Sequence, residues 1–207
     1  MTIDVAIVGD IHGNSTALKG MLSRLSNWTG NLVFIGDYVN RGTDSAGVIQ
    51  LLADLSKSRP NTFFIAGNHD TAFLEAVNSG HLFPFLSIGG AATVRSYVKT
   101  PKGDVGDQLR RNVPKSHVEF LNGLIPSYKF GNLVVAHDRK DTIFQQESDS
   151  YQVYGHTPTD DGKPHITANA AGIDTGCGLS DDGPLTCFFW PSQITIQIDP
   201  LGTEITT

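Results

Sequence analysis

"IDVAIVGD", residues 3–10, is an apolar run that stops on glycine and aspartate, and the same plan returns twice in the first seventy residues. "NLVFIGD" (31–37) and "TFFIAGNHD" (62–70) are the repeats. Behind the first two runs apolar residues fall at helical spacing: Leu18, Met21, Leu22 and Leu25, then Val48, Leu51, Leu52 and Leu55. Asn14 and Asp44 stand where N-caps belong. Strands alternating with helices in this way predict βαβ units and a mostly parallel sheet, hence an α/β fold. Such sheets gather ligands at the carboxyl ends of their strands, and all three polar endings fall there.

Downstream, residues 71–125 read as helical with breaks. "GGAATVRSYV" (89–98) and "SHVEFLNGLI" (116–125) are helix candidates. "KTPKGDVGDQLRRNVP" (99–114) lies between them; its glycines, prolines and charges read as a loop or lid. Strand patterns resume at residue 127 with SYKF, NLVVAHD, YQVYGHTP, AGIDTG, PLTCFFW and ITIQI. This later half is expected to form a second sheet packed on the first, with helices outside and residues 1–207 making a single domain.

Composition narrows the function. A net charge of −6 argues against a nucleic-acid partner or a membrane surface, both of which demand basic patches. No apolar run is long enough to span a bilayer, and the N-terminal strand lacks the basic flank of a signal peptide. Two cysteines, Cys177 and Cys187, make no disulfide framework and read as buried small hydrophobes on late strands. The expectation is a cytoplasmic protein.

Five short motifs carry chemistry: GDIHG (9–13), GDYVNRG (36–42), GNHD (67–70), AHD (136–138) and GHT (155–157). Each sets Asp, Asn or His just beyond an apolar strand. Mixed oxygen and imidazole donors suit divalent ions such as manganese, iron or zinc, and the lack of thiolates disfavours a structural zinc site. Asp10 and His12, two apart on an extended exit, can face one side. Asp37 is placed to bridge two ions, an arrangement that yields a strong oxygen nucleophile at neutral pH.

In order and spacing these motifs resemble the phosphoprotein-phosphatase family of metallophosphoesterases. The likeness is greatest to bacterial and phage-lambda-type Ser/Thr phosphatases and to the related symmetrical diadenosine tetraphosphatases. It runs from residue 5 to about 190 and includes GGAATVRSY (89–97) and GIDTGCGLSDDGPLT (172–186). The resemblance implies a calcineurin-like fold of two packed mixed β-sheets flanked by helices, holding two divalent ions, manganese first. It further implies that Asp10 and His12 hold one ion, that Asp37 bridges, and that Asn68, His137 and His156 hold the other. His69 would protonate the leaving oxygen, with Asn40 beside it, and Arg41 would grip phosphate oxygens. The implied activity is phosphomonoester hydrolysis by a bridging hydroxide, with phosphoproteins or small phosphoesters as substrates. A diadenosine tetraphosphatase-like nucleotide hydrolase and a non-catalytic metal-binding interaction module are the alternatives.

Two departures from that pattern stand out. Asn40 occupies a slot where the family carries Asp, so no negative charge supports the His69 acid. Substrates with good leaving groups, such as phosphoanhydrides, would tolerate this, unless neighbouring Asp70 substitutes. The segment between His137 and His156 is also short, and a second phosphate-binding arginine is missing from it. Arg139 is a stand-in, and Arg95 a further candidate for the pocket lining. His81, His117 and His165 lie outside the motifs and read as surface or satisfied core residues.

Overall fold

The structure, a computed structural model, describes residues 4–143 and 149–206. Strands β1 (Val5–Val8), β2 (Asn31–Phe34) and β3 (Thr62–Phe64) come first, separated by helices α1 (Ser15–Arg24) and α2 (Ser45–Ser58). A helical middle follows: α3 (Asn68–Ser79), α4 (Phe83–Ser87), α5 (Ala91–Tyr97), α6 (Val105–Asn112) and α7 (Lys115–Asn122). The last part holds β4 (Ser127–Phe130), β5 (Leu133–Ala136), α8 (Arg139–Ile143), β6 (Tyr151–Tyr154), β7 (His165–Ile166), β8 (Ala170–Gly172), β9 (Leu185–Trp190) and β10 (Ile194–Ile198). Asn14 and Asp44 cap α1 and α2 as expected, their side chains accepting from the amides of Ala17 and Gly47.

Two mixed five-stranded sheets result, ordered β10-β9-β1-β2-β3 and β4-β5-β6-β8-β7. The strands β1, β2 and β3 are parallel, as are β5, β6 and β8. One face of the first sheet meets the second through Ile7, Val33, Ile35, Val135, Val153 and Phe188. Its other face packs on helices through Ala6, Val8, Leu18, Met21, Phe34 and Leu52. Burial on both faces explains why β1 and β2 read as unbroken apolar runs.

Three expectations need correction. The last two strands do not join the second sheet: β9 lies antiparallel against β1, and β10 against β9. The segment 99–114 is not all loop, because α6 occupies its second half. Asp104 caps α6, Leu109 and Val113 are buried, and Gly106 permits an approach to the Gly80 carbonyl that a Cβ would block. Cys177 sits in a turn, not a strand; both cysteines are buried and free, with Cys187 on β9. Among the described residues no helix is long and apolar enough to cross a membrane.

The consequence for function is convergence. The C-terminal ends of β1, β2 and β3 from one sheet, and of β5, β6 and β8 from the other, all open on one edge. The five motifs follow the ends of β1, β2, β3, β5 and β6, and Asp174 follows β8.

Candidate metal centre

Asp37 is the hub of that edge. Its Oδ2 lies 3.6 Å from His12 Nε2, 3.9 Å from His69 Nε2 and 3.3 Å from His137 Nε2. Two cation-sized groups share it, His12–Asp37–His69 and Asp37–His137–His156. Asn68 joins the second group: its Oδ1 stands 3.2 Å from His137 Nε2 and 3.0 Å from His156 Nδ1. Spacings of about 3 Å between donor atoms are the edges of a coordination polyhedron around an ion bound at about 2.1 Å. Asp10 closes the cluster from β1, with its Oδ2 at 3.9 Å from His137 Nδ1 and 3.2 Å from the amide of His156.

Backbone carbonyls set the imidazoles. His12 Nδ1 lies 3.0 Å from the Val39 carbonyl and His137 Nδ1 lies 3.0 Å from the Ile35 carbonyl, which turns both Nε2 atoms to the centre. His156 is turned the other way: Nδ1 faces Asn68, and Nε2 lies 3.9 Å from Asp138 Oδ2. Glycines make room for these contacts. A Cβ on Gly67 would strike Asp37 Oδ1, and one on Gly155 would strike Asp10 Oδ1.

The backbone is strained where the chemistry is. Among the described non-glycine residues with positive φ are His12, Asp37, Asn40, Arg41 and His156, leaving only Gln193 outside the site. Such conformations cost of order 1–3 kcal/mol each and persist only where the surroundings impose them. Asp70 is part of what imposes them. It is buried at the start of α3, and its carboxylate accepts from the amides of Tyr38 (2.9 Å), Val39 (3.3 Å) and Gly67 (3.0 Å). It is thereby committed to backbone and does not replace the missing acid at position 40.

Asn40 itself reaches His69: Nδ2 lies 2.6 Å from His69 Nδ1. Thr93 donates to Asn40 Oδ1 at 2.8 Å and accepts from the Asn40 backbone N–H at 2.8 Å, while Ser45 Oγ lies 2.8 Å from Thr93 Oγ1. The amide therefore donates to Nδ1 and leaves Nε2 as the protonated nitrogen of a neutral ring, facing Asp37. Burial lowers the His69 pKa to about 4; Asp37 opposes this, while His12, Arg41 and His137 reinforce it. That electrostatic reach puts the exposed Arg41 near His69, beside Gly89 of the loop before α5.

The buried charges of the cluster shift one another's titration. Burial alone would raise Asp37, but the hydrogen bond and charge of His137, with His12 and His69, hold it below the ordinary carboxylate range. His137 is raised in return: burial works against it, but Asp37 and Asp10 outweigh burial. Asp10 is raised by burial and then by Asp174. Asp174, from the loop after β8, interacts electrostatically with His12, Asp37 and His137, and its Oδ2 is buried with no hydrogen-bond partner. A buried carboxylate oxygen left unpaired among acids is costly unless positive charge arrives. The donor set and this orphaned oxygen fit divalent ions.

Sequence reasoning did not single out Asp174, Asp138 or Thr93 as site residues. Arg95, taken from the same motif as Thr93, is exposed on α5. Arg139 is exposed on α8 with its guanidinium carbon 5.4 Å from the centre of the Tyr154 ring. Of the histidines set aside, His81 and His165 are exposed, and buried His117 is satisfied by Tyr97 and Gln50.

The chain belongs to the calcineurin-like phosphoesterases, whose family profile matches residues 3–160. Within that family it is 25% identical to the asymmetrical bis(5'-nucleosyl)-tetraphosphatase PrpE of Oceanobacillus iheyensis, over 96% of this chain and 92% of the relative. It is 35% identical to serine/threonine-protein phosphatase 2 of Escherichia coli, over 41% of this chain and 37% of that protein. A crystal structure of a proposed diadenosine tetraphosphatase superposes with a TM-score of 0.63 at 23% identity, covering 96% of this chain and 94% of the other. The cold-active protein-tyrosine phosphatase of a Shewanella species superposes at 0.64 with 13% identity, over 100% and 80%.

Proposed function

We propose that this metal-dependent phosphoesterase hydrolyses phosphoanhydrides of the dinucleoside tetraphosphate class, and that phosphoproteins, expected first from the sequence, are the secondary reading. The observation that carries the proposal is the amide of Asn40 on His69 Nδ1. An acid at that position would stabilise a doubly protonated ring able to pass a full proton to an alkoxide. An amide stabilises the neutral ring, whose Nε2–H steadies a leaving oxygen by hydrogen bonding. A polyphosphate leaves without needing more. Likeness to PrpE along nearly the whole chain supports the same reading, whereas the protein-phosphatase likeness covers less than half of it.

In this reading Asp10, His12 and Asp37 hold one ion, and Asp37, Asn68, His137 and His156 hold the other. When bound, the ions supply Lewis acidity at phosphoryl oxygens and a water ionised near neutral pH. Arg41 binds the non-bridging oxygens, where negative charge grows in the transition state. His69 places its Nε2 proton toward the departing oxygen. Asn40, held by Thr93 and Ser45, keeps that tautomer in place.

Purified protein with added manganese, given bis(5'-adenosyl) tetraphosphate and a phosphoserine peptide in parallel, tests the proposal. The expected result is dinucleotide turnover that a chelator abolishes, with unequal products, a triphosphate and a monophosphate. Peptide turnover with an untouched dinucleotide would overturn it in favour of the protein phosphatase.

A further inference from the structure

Beside the exposed flank of the centre lies a cavity of about 720 Å³. Its wall begins at Thr157, the residue after His156, and includes Arg139, two residues after His137. Asn68 and His156 are the exposed ligand candidates of the cluster, whereas Asp10, His12, Asp37 and His137 are buried. The cluster thus opens toward the side where the cavity starts. Its volume is that of a site for a molecule of nucleotide size, for which about 300–1,000 Å³ is typical.

The lining is chemically graded. Next to His156 is Thr157, whose hydroxyl suits a phosphate oxygen. Tyr154 supplies an aromatic wall, with Arg139 paired over its ring and Gly172 behind it. A Cβ on Gly172 would come within 3.1 Å of the Tyr154 ring, so glycine lets that ring rest against the β8 backbone. A guanidinium paired with a phenol ring is a surface on which a base stacks. Asp160 and Asp161 offer carboxylates that accept from ribose hydroxyls, and Lys163 adds a second cation. Asp161 already holds this loop by accepting from the Lys163 amide at 3.0 Å. Thr159, also in the wall, has a buried hydroxyl without any hydrogen-bond partner. The wall is fixed to the centre by the Thr159 amide, which donates to the Asp174 carbonyl at 3.0 Å.

We infer that this cavity binds one nucleoside-phosphate arm of the substrate, base on the outer face of the Arg139 guanidinium that Tyr154 backs, ribose toward Asp160 and Asp161, phosphate toward Thr157 and the metal centre. The inference rests on the nucleotide reading above and deepens it: a phosphopeptide would leave the cavity with nothing to stack.

The test uses adenosine monophosphate as probe and the full chain. Calorimetric titration should show binding to wild-type protein kept metal-free by a chelator. Tyr154→Ala and, independently, Lys163→Ala on the surface loop should weaken that binding by tenfold or more. In kinetics both variants should raise KM for bis(5'-adenosyl) tetraphosphate by a similar factor, while kcat changes less than about twofold. No binding of the monophosphate to wild type, or equal binding by both variants, would overturn the cavity assignment even if the dinucleotide is hydrolysed. Binding lost in both variants with no dinucleotide turnover by wild type would keep the cavity and sink the proposed substrate instead. Should Tyr154→Ala fail to fold, Lys163→Ala decides alone.

Discussion

Asn40 and His69 meet nitrogen to nitrogen, Nδ2 to Nδ1 at 2.6 Å, in a pocket closed by Thr93 and Ser45. Because the amide can donate but carries no charge, nothing beside Nδ1 offsets the burial that lowers the His69 pKa. Asn40→Asp should supply that offset. The rate should then fall less steeply as the leaving group becomes more basic, with gains of about tenfold or more on alkyl phosphates, within the range of general acid catalysis. Phosphoanhydride turnover should change little. A plot of log kcat/KM against leaving-group pKa for both proteins checks this, and parallel lines would refute it. Thr93→Val tests the support: it strips Asn40 of a donor and should destabilise the fold by about 1–3 kcal/mol.

Metal binding should expel protons. With no cation present His137 is held protonated by Asp37 and Asp10, well above the ordinary histidine range. An ion taking Nε2 must displace that proton, so affinity rises with pH until the raised pKa is passed and falls as the medium acidifies. Titrating manganese in buffers of different ionisation enthalpy at pH 7 should show release of about one proton or more per molecule. Binding that takes up no buffer heat would show His137 to be neutral before the ion arrives.

Asp174 predicts effects of opposite sign in the two states of the protein. Its orphaned Oδ2 and its interactions with Asp10 and Asp37 make it a liability while no cation is bound. Asp174→Asn should therefore raise the melting temperature of chelated protein and weaken metal affinity by about 10–100-fold, the usual cost of losing a partner just outside the ligands. Metal content after dialysis and thermal melts with and without manganese read both quantities. A variant with unchanged affinity, or one less stable in both states, would assign Asp174 to the fold alone.

How much of this the sequence carried varies with the kind of signal. Asp10, Asp37 and Asn68 were legible because an apolar run ending in glycine fixes both a strand and the edge on which its next residue emerges. His156 was legible for the same reason, and His137 because it follows the apolar run NLVVA directly. Strand partners were not: nothing in PLTCFFW names β1 as its neighbour, although a run buried through its first four residues does suit a strand paired on both sides. Helix α6 was hidden by charge and glycine, yet Val105, Leu109 and Val113 keep a four-residue spacing. Thr93 was within reach too, since a helix turning Val94 and Tyr97 inward carries Thr93 in and Arg95 out. Asp174 was not, because a turn aspartate and an orphaned carboxylate have the same letter. The cavity was least legible of all: Arg139, Tyr154 and Lys163 come from three separate segments and meet only in the fold.

His117 carries a stability prediction away from the metal centre. It ties three helices together, with Tyr97 on α5 at 2.8 Å from Nδ1 and Gln50 on α2 at 3.0 Å from Nε2. A neutral ring satisfies both, accepting from the phenol and donating to the amide oxygen, whereas a charged ring would present a second N–H to the Tyr97 oxygen. Burial lowers its pKa below the ordinary 6.5, with Asp54 opposing and Lys57 assisting. The unfolded chain then takes up a proton at higher pH than the folded one. This contribution is intact above about pH 6.5 and is lost progressively as pH falls toward the folded-state value. His117→Gln, unable to titrate, should be less stable than wild type at pH 7.5 and should close part of that gap at pH 5.5. Urea denaturation at the two pH values measures it; a gap that stays constant would mean that His117 does not titrate differently on folding.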